Sequence, residues 1–383
     1  MDSALPIVII GTGLAGYSLV REFRKLNRDA PILMLTRDDG HSYSKPMLST
    51  GFTKGKSADA ISLADPGKMA SQLNISIRNF TEVSRIDPDS NTLHMGSEVL
   101  AYQQLVLANG ASANTLNFKG SDHANILSIN DLMDYRSFRE KLVGKQRVLV
   151  MGAGLIGCEY ANDLLYGDFQ ITVVDPAETA LHGLIPSFAG NAVIQGLERK
   201  GVQFMMQCCV EEVIAYEDHL VAILSDGQQV TTDLIISAVG IKPELTLAKS
   251  AGLECDKGVV TNRFLETSRA DIYALGDCAQ IDGYVLLYVL PLMASARALA
   301  KTLNGERTAV SFSAMPVVIK TPACPVVVSP ALAQNGEWQV EQDDININAR
   351  YVNQRGETEG FVLTGECVSA KQSLIKGLKG IHH

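Results

Sequence analysis

IVIIGTGLAG at residues 7–16 and VLVMGAGLIG at residues 148–157 decide the fold. Each is a short apolar run ending in G-x-G-x-x-G, with glycines at Gly11, Gly13 and Gly16 and again at Gly152, Gly154 and Gly157. The residue types follow from what a dinucleotide needs. The first glycine allows a sharp turn off a strand, the second lets a pyrophosphate approach the backbone, and the third lets the next helix pack closely on the strand. That helix turns unpaired N–H groups and the positive end of its dipole toward the phosphates. One such motif is a weak signal, because glycine turns are common. A repeat of it, each copy lying between an apolar run and an amphipathic stretch, implies two dinucleotide sites.

Outward from the first copy, residues 17–26 carry a helical apolar face and residues 31–35 read as a second strand. A dinucleotide fold usually places an Asp or Glu about 20 residues past the glycines to hold the adenosine ribose. Thr36 stands there instead, followed by Arg37 and Asp38. Either Asp38 reaches the ribose or weaker partners hold it. In HSYSKPMLST (41–50), Ser44 suits an N-cap and Pro46 a first helical turn. Lys45 is then either a cation beside a redox ring or a solvated surface lysine. Residues 61–85 read as an irregular helix and a strand, and residues 87–99 as a hairpin. LVLANG at 105–110 reads as a strand closing on a glycine turn, and Val83 and Ala108 are candidate cofactor-binding residues.

The second copy repeats the plan. Residues 148–150 and 171–174 are strands around a helix at 157–165, and Asp175 closes the second strand 21 residues after Gly154. An acid there accepts hydrogen bonds from a ribose diol and repels a 2′-phosphate, favouring NAD(H) over NADP(H); the alternative is a turn aspartate before Pro176. LIISAVG at 234–240 mirrors LVLANG, and Gly240 is a candidate cofactor-binding residue. In LETSRADIYALGDCA (265–279), Asp277 sits at a strand end suited to sugar or ribityl hydroxyls. Its neighbour Cys278 reads as a buried small side chain rather than a reactive thiol. A helix from Pro291 would bring its positive end to an anionic ring. VVIKTPACPVVVSP (317–330) is extended and carries Lys320; short strands follow over 337–352 and 360–364, then a basic amphipathic helix over 371–379. Trp338 reads as core. The expected fold is α/β: two Rossmann-like dinucleotide-binding domains, the first from 1–115 and 245–317 and the second from 116–244, plus a small α+β C-terminal domain at 318–383.

Bulk properties narrow the function. A net charge of −9 on 383 residues argues against a general nucleic-acid or anionic-membrane surface. MDSALPIVII has no basic n-region, and no apolar run is long enough to span a bilayer. The seven cysteines (158, 208, 209, 255, 278, 324 and 367) are scattered without a C-x-x-C, which fits reduced thiols in a cytoplasm and removes a redox disulfide and a metal ligand set.

Together these residues resemble the pyridine nucleotide-disulfide oxidoreductase superfamily over most of the chain. GTGLAG (11–16) is similar to its FAD pyrophosphate site, GAGLIGCE (152–159) to its NAD(P)H site, and TSRADIYALGDCA (267–279) to its second FAD fingerprint, where Asp277 takes the ribityl chain. LVLANG departs from the family's ATG motif, with Asn109 where threonine is usual, and the dithiol pair of the disulfide reductases is absent. SYSKPMLSTGF (42–52), TPACPVVVSP (321–330) and the short C-terminal domain look most like bacterial members that reduce rubredoxin. The resemblance implies a glutathione-reductase-like architecture with FAD and NADH. It implies rubredoxin, a small acidic iron protein, as acceptor, and a place in electron delivery to alkane hydroxylation.

The resemblance puts a glutamate by the nicotinamide, and charge and position suggest the other roles. Glu159 would lie by the nicotinamide and pair with Lys45; the plainer account is a first-turn acid on a helix. Lys320 would hold the reduced flavin near N1 and O2; the rival is an exposed strand-end lysine. Lys45, Lys320, Lys371, Lys376 and Lys379 would form a positive rim for small-area, salt-dependent docking. No nucleic acid or membrane partner is expected, and the chain is expected to be a monomer or weak homodimer. The competing functions are an NADH oxidase, a reductase for ferredoxin or a quinone, and an NADH-sensing flavoprotein that acts through partners.

Overall fold

The computed structural model describes residues 5–331 and 335–381. Residues 1–4, on which the N-terminal reading partly rests, lie outside the described residues. The chain divides into two compact units. The first is Met1–Lys45, Ser62–Ser112 and Ile241–Phe312; the second is Pro46–Ile61, Ala113–Gly240 and Ser313–His383. Residues 46–61 and the C-terminal segment both fall in the second unit.

The first unit is built on a five-stranded parallel sheet in the order Ile272–Ala274, Gln104–Leu107, Ile7–Ile10, Ile32–Leu35, Ser76–Arg78. All four residues of Ile7–Ile10 and of Ile32–Leu35 are buried, as in a parallel sheet covered on both faces. From Ile7–Ile10 the chain first winds to one side through Ile32–Leu35 and Ser76–Arg78. It then returns to Gln104–Leu107 on the other side, so a switch point with its crevice lies at the carboxyl ends of these neighbours. The helix Leu14–Arg24 leaves the first glycine turn and packs against the helix Val289–Leu303. The expected hairpin is a three-stranded antiparallel meander, Arg85–Asp87, Thr92–Met95 and Glu98–Ala101.

The second unit repeats the parallel sheet in the order Ile126–Leu127, Leu234–Ser237, Arg147–Met151, Gln170–Asp175, Gln203–Met206. It adds an antiparallel sheet in the order Val317–Ile319, Val326–Ser329, Thr358–Thr364, Asn346–Asn353, Gly336–Asp343. The expected helix over 371–379 is shorter. A 3₁₀ turn at Gly365–Ala370 leads into an α-helix only over Lys371–Ile375, with Gly377, a poor helix residue, just beyond. Leu374, Ile375 and Leu378 still pack on buried Val327, Phe361 and Leu363. Trp338 is not core. It is half-buried on the edge strand, with its ring edge-on to Phe188 at 6.1 Å and to Tyr351 at 5.3 Å. No helix among the described residues is long and apolar enough to cross a membrane.

Candidate functional site

The first glycine turn in the first unit leaves room where a pyrophosphate needs it. Gly11 has φ +113°, and a Cβ there would strike the Ala108 carbonyl, so Ala108 is the backbone against which the turn closes. A Cβ on Gly16 would strike the Gly11 carbonyl, whereas one on Gly13 would meet nothing within 4 Å. The helix Leu14–Arg24 has Gly13 as its N-cap with no side-chain cap and no acid in its first turn. Its first amides are therefore open to an anion, and the crevice fits a dinucleotide phosphate.

At the usual acid position Thr36 is buried. One Asp38 oxygen, Oδ1, accepts from the hydroxyls of Thr12 (3.2 Å) and Thr36 (2.7 Å) and from the Gly40 amide (2.9 Å). Asp38 thus braces the loop with one oxygen and has Oδ2 left for a ribose. Val83 lies in the segment after Ser76–Arg78, where the Thr81 amide donates to the Thr36 carbonyl at 2.8 Å. Asn109 donates from Nδ2 to the Glu244 carbonyl (3.1 Å), while its buried Oδ1 has no partner among the described residues. Lys45 Nζ lies 4.0 Å from Asp277 Oδ2. Burial pushes the Asp277 carboxyl above its ordinary range, against the pull of Lys45. Cys278 is fully buried and burial pushes its thiol up to about 12, so it is inert, as expected. All seven cysteines are free.

The second glycine turn has the same shape. A Cβ on Gly152 (φ +104°) would strike the Ala238 carbonyl, one on Gly157 the Gly152 carbonyl, and one on Gly154 nothing within 4 Å. Asp175 accepts from the Ala153 amide (2.6 Å) and the Ala177 amide (2.7 Å). It therefore fixes the glycine loop itself and keeps acceptor capacity for a ribose, since a carboxylate offers about four lone-pair sites. At the end of Leu234–Ser237, Gly240 accepts from the Asn114 amide at 3.0 Å.

A buried polar cluster in the second unit centres on Glu159, which is 1% exposed. Its oxygens accept from Lys320 Nζ (2.6 Å), the Lys320 amide (2.9 Å) and Ser49 Oγ (2.5 Å). This corrects the expected pairing: the cation on Glu159 is Lys320, and Lys45 faces Asp277. Lys320 is accordingly neither a free strand-end lysine nor an uncommitted charge. Its Nζ also donates to the Pro46 carbonyl at 2.7 Å. Residues Lys45–Thr50 form a 3₁₀ turn, not the expected helix, with Ser49 off helical geometry. The expected positive rim is weakened in the same way. Lys320 is spent on Glu159, Lys379 pairs with Glu357 (3.5 Å) and Lys45 faces Asp277, which leaves Lys371 and Lys376 without an ion pair among the described residues.

Sequence reasoning missed Ser49, Asn162 and Asp163. Buried Asp163 accepts from the amides of Phe52 (3.1 Å) and Thr53 (2.7 Å), and Asn162 accepts from the Ala323 amide (2.9 Å). Glu159, Asn162 and Asp163 thus sit at i, i+3 and i+4 of the helix Leu155–Leu164, on one face. They pin residues 46–53 and 320–323. The available signal was a polar triplet within a helix that is otherwise almost wholly apolar.

A family model described as pyridine nucleotide-disulphide oxidoreductase matches residues 5–302, and one described as rubredoxin binding C-terminal domain matches residues 309–378. The chain is 49% identical over 378 residues to a rubredoxin-NAD(+) reductase of Alcanivorax borkumensis, covering 98% of this chain and 99% of the relative. It is 42% identical to a rubredoxin-NAD(+) reductase of Acinetobacter baylyi, with 96% of each covered. The putidaredoxin reductase in its covalent complex with putidaredoxin has the same fold at a TM-score of 0.88 and 23% identity, covering 99% of this chain and 94% of that one.

Proposed function

The chain belongs to the pyridine nucleotide-disulphide oxidoreductase family, and on that premise we propose that it is an FAD-dependent rubredoxin reductase that takes its electrons from NADH. The observation that carries this reading is the union on one chain of two open glycine turns with a C-terminal segment that matches a rubredoxin-binding model over 309–378. Bound FAD supplies the conversion between a two-electron hydride donor and a one-electron acceptor. The chain's own residues bind, orient and bias.

Gly11, Gly13 and Gly16 with the open amides of Leu14–Arg24 receive the FAD pyrophosphate, and Asp38 offers its remaining oxygen to the adenosine. Asp277 holds ribityl hydroxyls, with Lys45 balancing its charge. Gly152, Gly154, Gly157 and Asp175 receive NADH, and the carboxylate of Asp175 disfavours a 2′-phosphate. Glu159 and Lys320 act as one neutral, preorganised pair on the nicotinamide side. The segment 41–52 contains no cysteine, so no thiol relay stands in the electron path. The seven free thiols support a reducing, cytoplasmic location. The resemblance supports a role in alkane hydroxylation.

Stopped-flow mixing with NADH should bleach the flavin band. Parallel challenge with rubredoxin, ferredoxin and oxygen should restore it fastest with rubredoxin. Faster recovery with oxygen or ferredoxin would replace this acceptor assignment.

A further inference from the structure

Phe80 is an aromatic residue in a backbone conformation suited to glycine, with φ +49°. Its side chain is also 66% exposed. Strain of this kind persists only where the surroundings over-determine it, and here they do. The Phe80 amide donates to the Asp38 carbonyl (3.0 Å), the Thr81 amide to the Thr36 carbonyl (2.8 Å), and Asn79 Nδ2 to the Asp39 carbonyl (3.4 Å). Residues 79–81 are thereby wrapped onto residues 36–39, just past the strand Ile32–Leu35. This is the carboxyl edge where a doubly wound sheet takes its ligand.

A phenyl ring left in water returns none of that strain. The same edge is short of polar grip on an adenosine. Thr36 is buried where an acid is usual, and one oxygen of Asp38 is spent on Thr12, Thr36 and Gly40. We propose that Phe80 is the adenine-binding residue of the first crevice, its ring stacking on the purine of FAD in compensation for the missing acid. The inference rests on the FAD assignment made above.

FMN carries the same flavin without the adenosine half, which separates the two questions. Apoprotein made from the full-length holoenzyme is titrated with FAD and with FMN by quenching of flavin fluorescence. Phe80→Asn keeps a residue that tolerates positive φ and removes the ring; Phe80→Tyr keeps the ring. The Asn variant should weaken FAD by roughly 5- to 150-fold, the range of base–aromatic stacking, and leave FMN where it was. The Tyr variant should match the wild type with both flavins. The Asn apoprotein should melt no lower than the wild-type apoprotein, because asparagine suits this conformation. Unchanged FAD affinity in Phe80→Asn, equal weakening of FAD and FMN, or a lower apoprotein melting temperature would each overturn the proposal. A wild-type chain that takes up no FAD overturns the cofactor assignment and this inference together. Equal FAD uptake by wild type and Phe80→Asn overturns the inference alone.

Discussion

At the residue scale, the informative side chain is Glu159. A carboxylate that is 1% exposed is tolerable only when its charge and lone pairs are met, and here Lys320 meets them from both side chain and backbone while Ser49 adds a third bond. Lys320→Met leaves the carboxylate with two neutral donors and no cation. The expected loss is about 2–4 kcal/mol, below the full cost of breaking a buried pair because the lysine side chain is 31% exposed. Glu159→Gln added to Lys320→Met should recover most of that loss, because a neutral amide no longer needs the cation. Urea midpoints at unchanged slope are the measurement. A stable single variant, or a double variant as weak as the single, would show that the pair carries no such charge balance. The pairing also shows where sequence reading stops. The glycines and Asp175 were legible because their requirement is local, a turn and a strand end within one βαβ unit. Glu159 and Lys320 are 161 residues apart, and no period or spacing links them. Both residues were singled out from the sequence, but Lys45 rather than Lys320 was set against Glu159, whose contact is Lys320.

At the element scale, the strands were legible and their fastenings were not. The strands Arg147–Met151 and Leu234–Ser237 are apolar and buried almost throughout, which identifies them as central parallel strands. What holds their starts in register is Asp233, which accepts from the amides of Gln146 and Arg147 (2.9 Å each) and from the Arg147 guanidinium (2.5 and 3.1 Å). Burial alone would raise this carboxyl. The hydrogen bonds from the Arg147 guanidinium and the two amides outweigh burial and hold it at about 2. The folded value lies below the value of about 3.9 for a free aspartate. The stabilisation is therefore fully present above about pH 4 and lost as the pH falls through about 2. Asp233→Asn should lower stability at neutral pH by on the order of 2 kcal/mol and flatten the acid limb over that window. Melting temperatures of wild type and variant across the window decide it: parallel acid limbs would move the acid sensitivity elsewhere. The helix Lys371–Ile375 teaches the complementary lesson, since apolar spacing placed its contact face correctly while Gly377 cut the helix short.

At the scale of the whole molecule, the chain uses one nucleotide-binding design twice, and the two uses can be separated by the same substitution. A Cβ on Gly16 meets the Gly11 carbonyl and the Met34 side chain; a Cβ on Gly157 meets the Gly152 carbonyl. In both turns the obstruction is backbone, which cannot swing aside as a flexible side chain can, so helix and strand must part and the phosphate cradle opens. Gly16→Ala should yield a pale protein that has lost FAD. Gly157→Ala should stay yellow, because the first crevice is built from other residues, and should still be bleached by dithionite. NADH should no longer bleach it at a useful rate. Absorbance of the purified variants, then anaerobic titration with NADH and with dithionite, reads both outcomes. Loss of FAD from Gly157→Ala would mean that the second turn supports the first, and that the repeat is one cooperative structure instead of two separable sites. Normal reduction of Gly157→Ala by NADH would mean that the nucleotide enters without the second turn, and the assignment of Gly152, Gly154, Gly157 and Asp175 to NADH would fall.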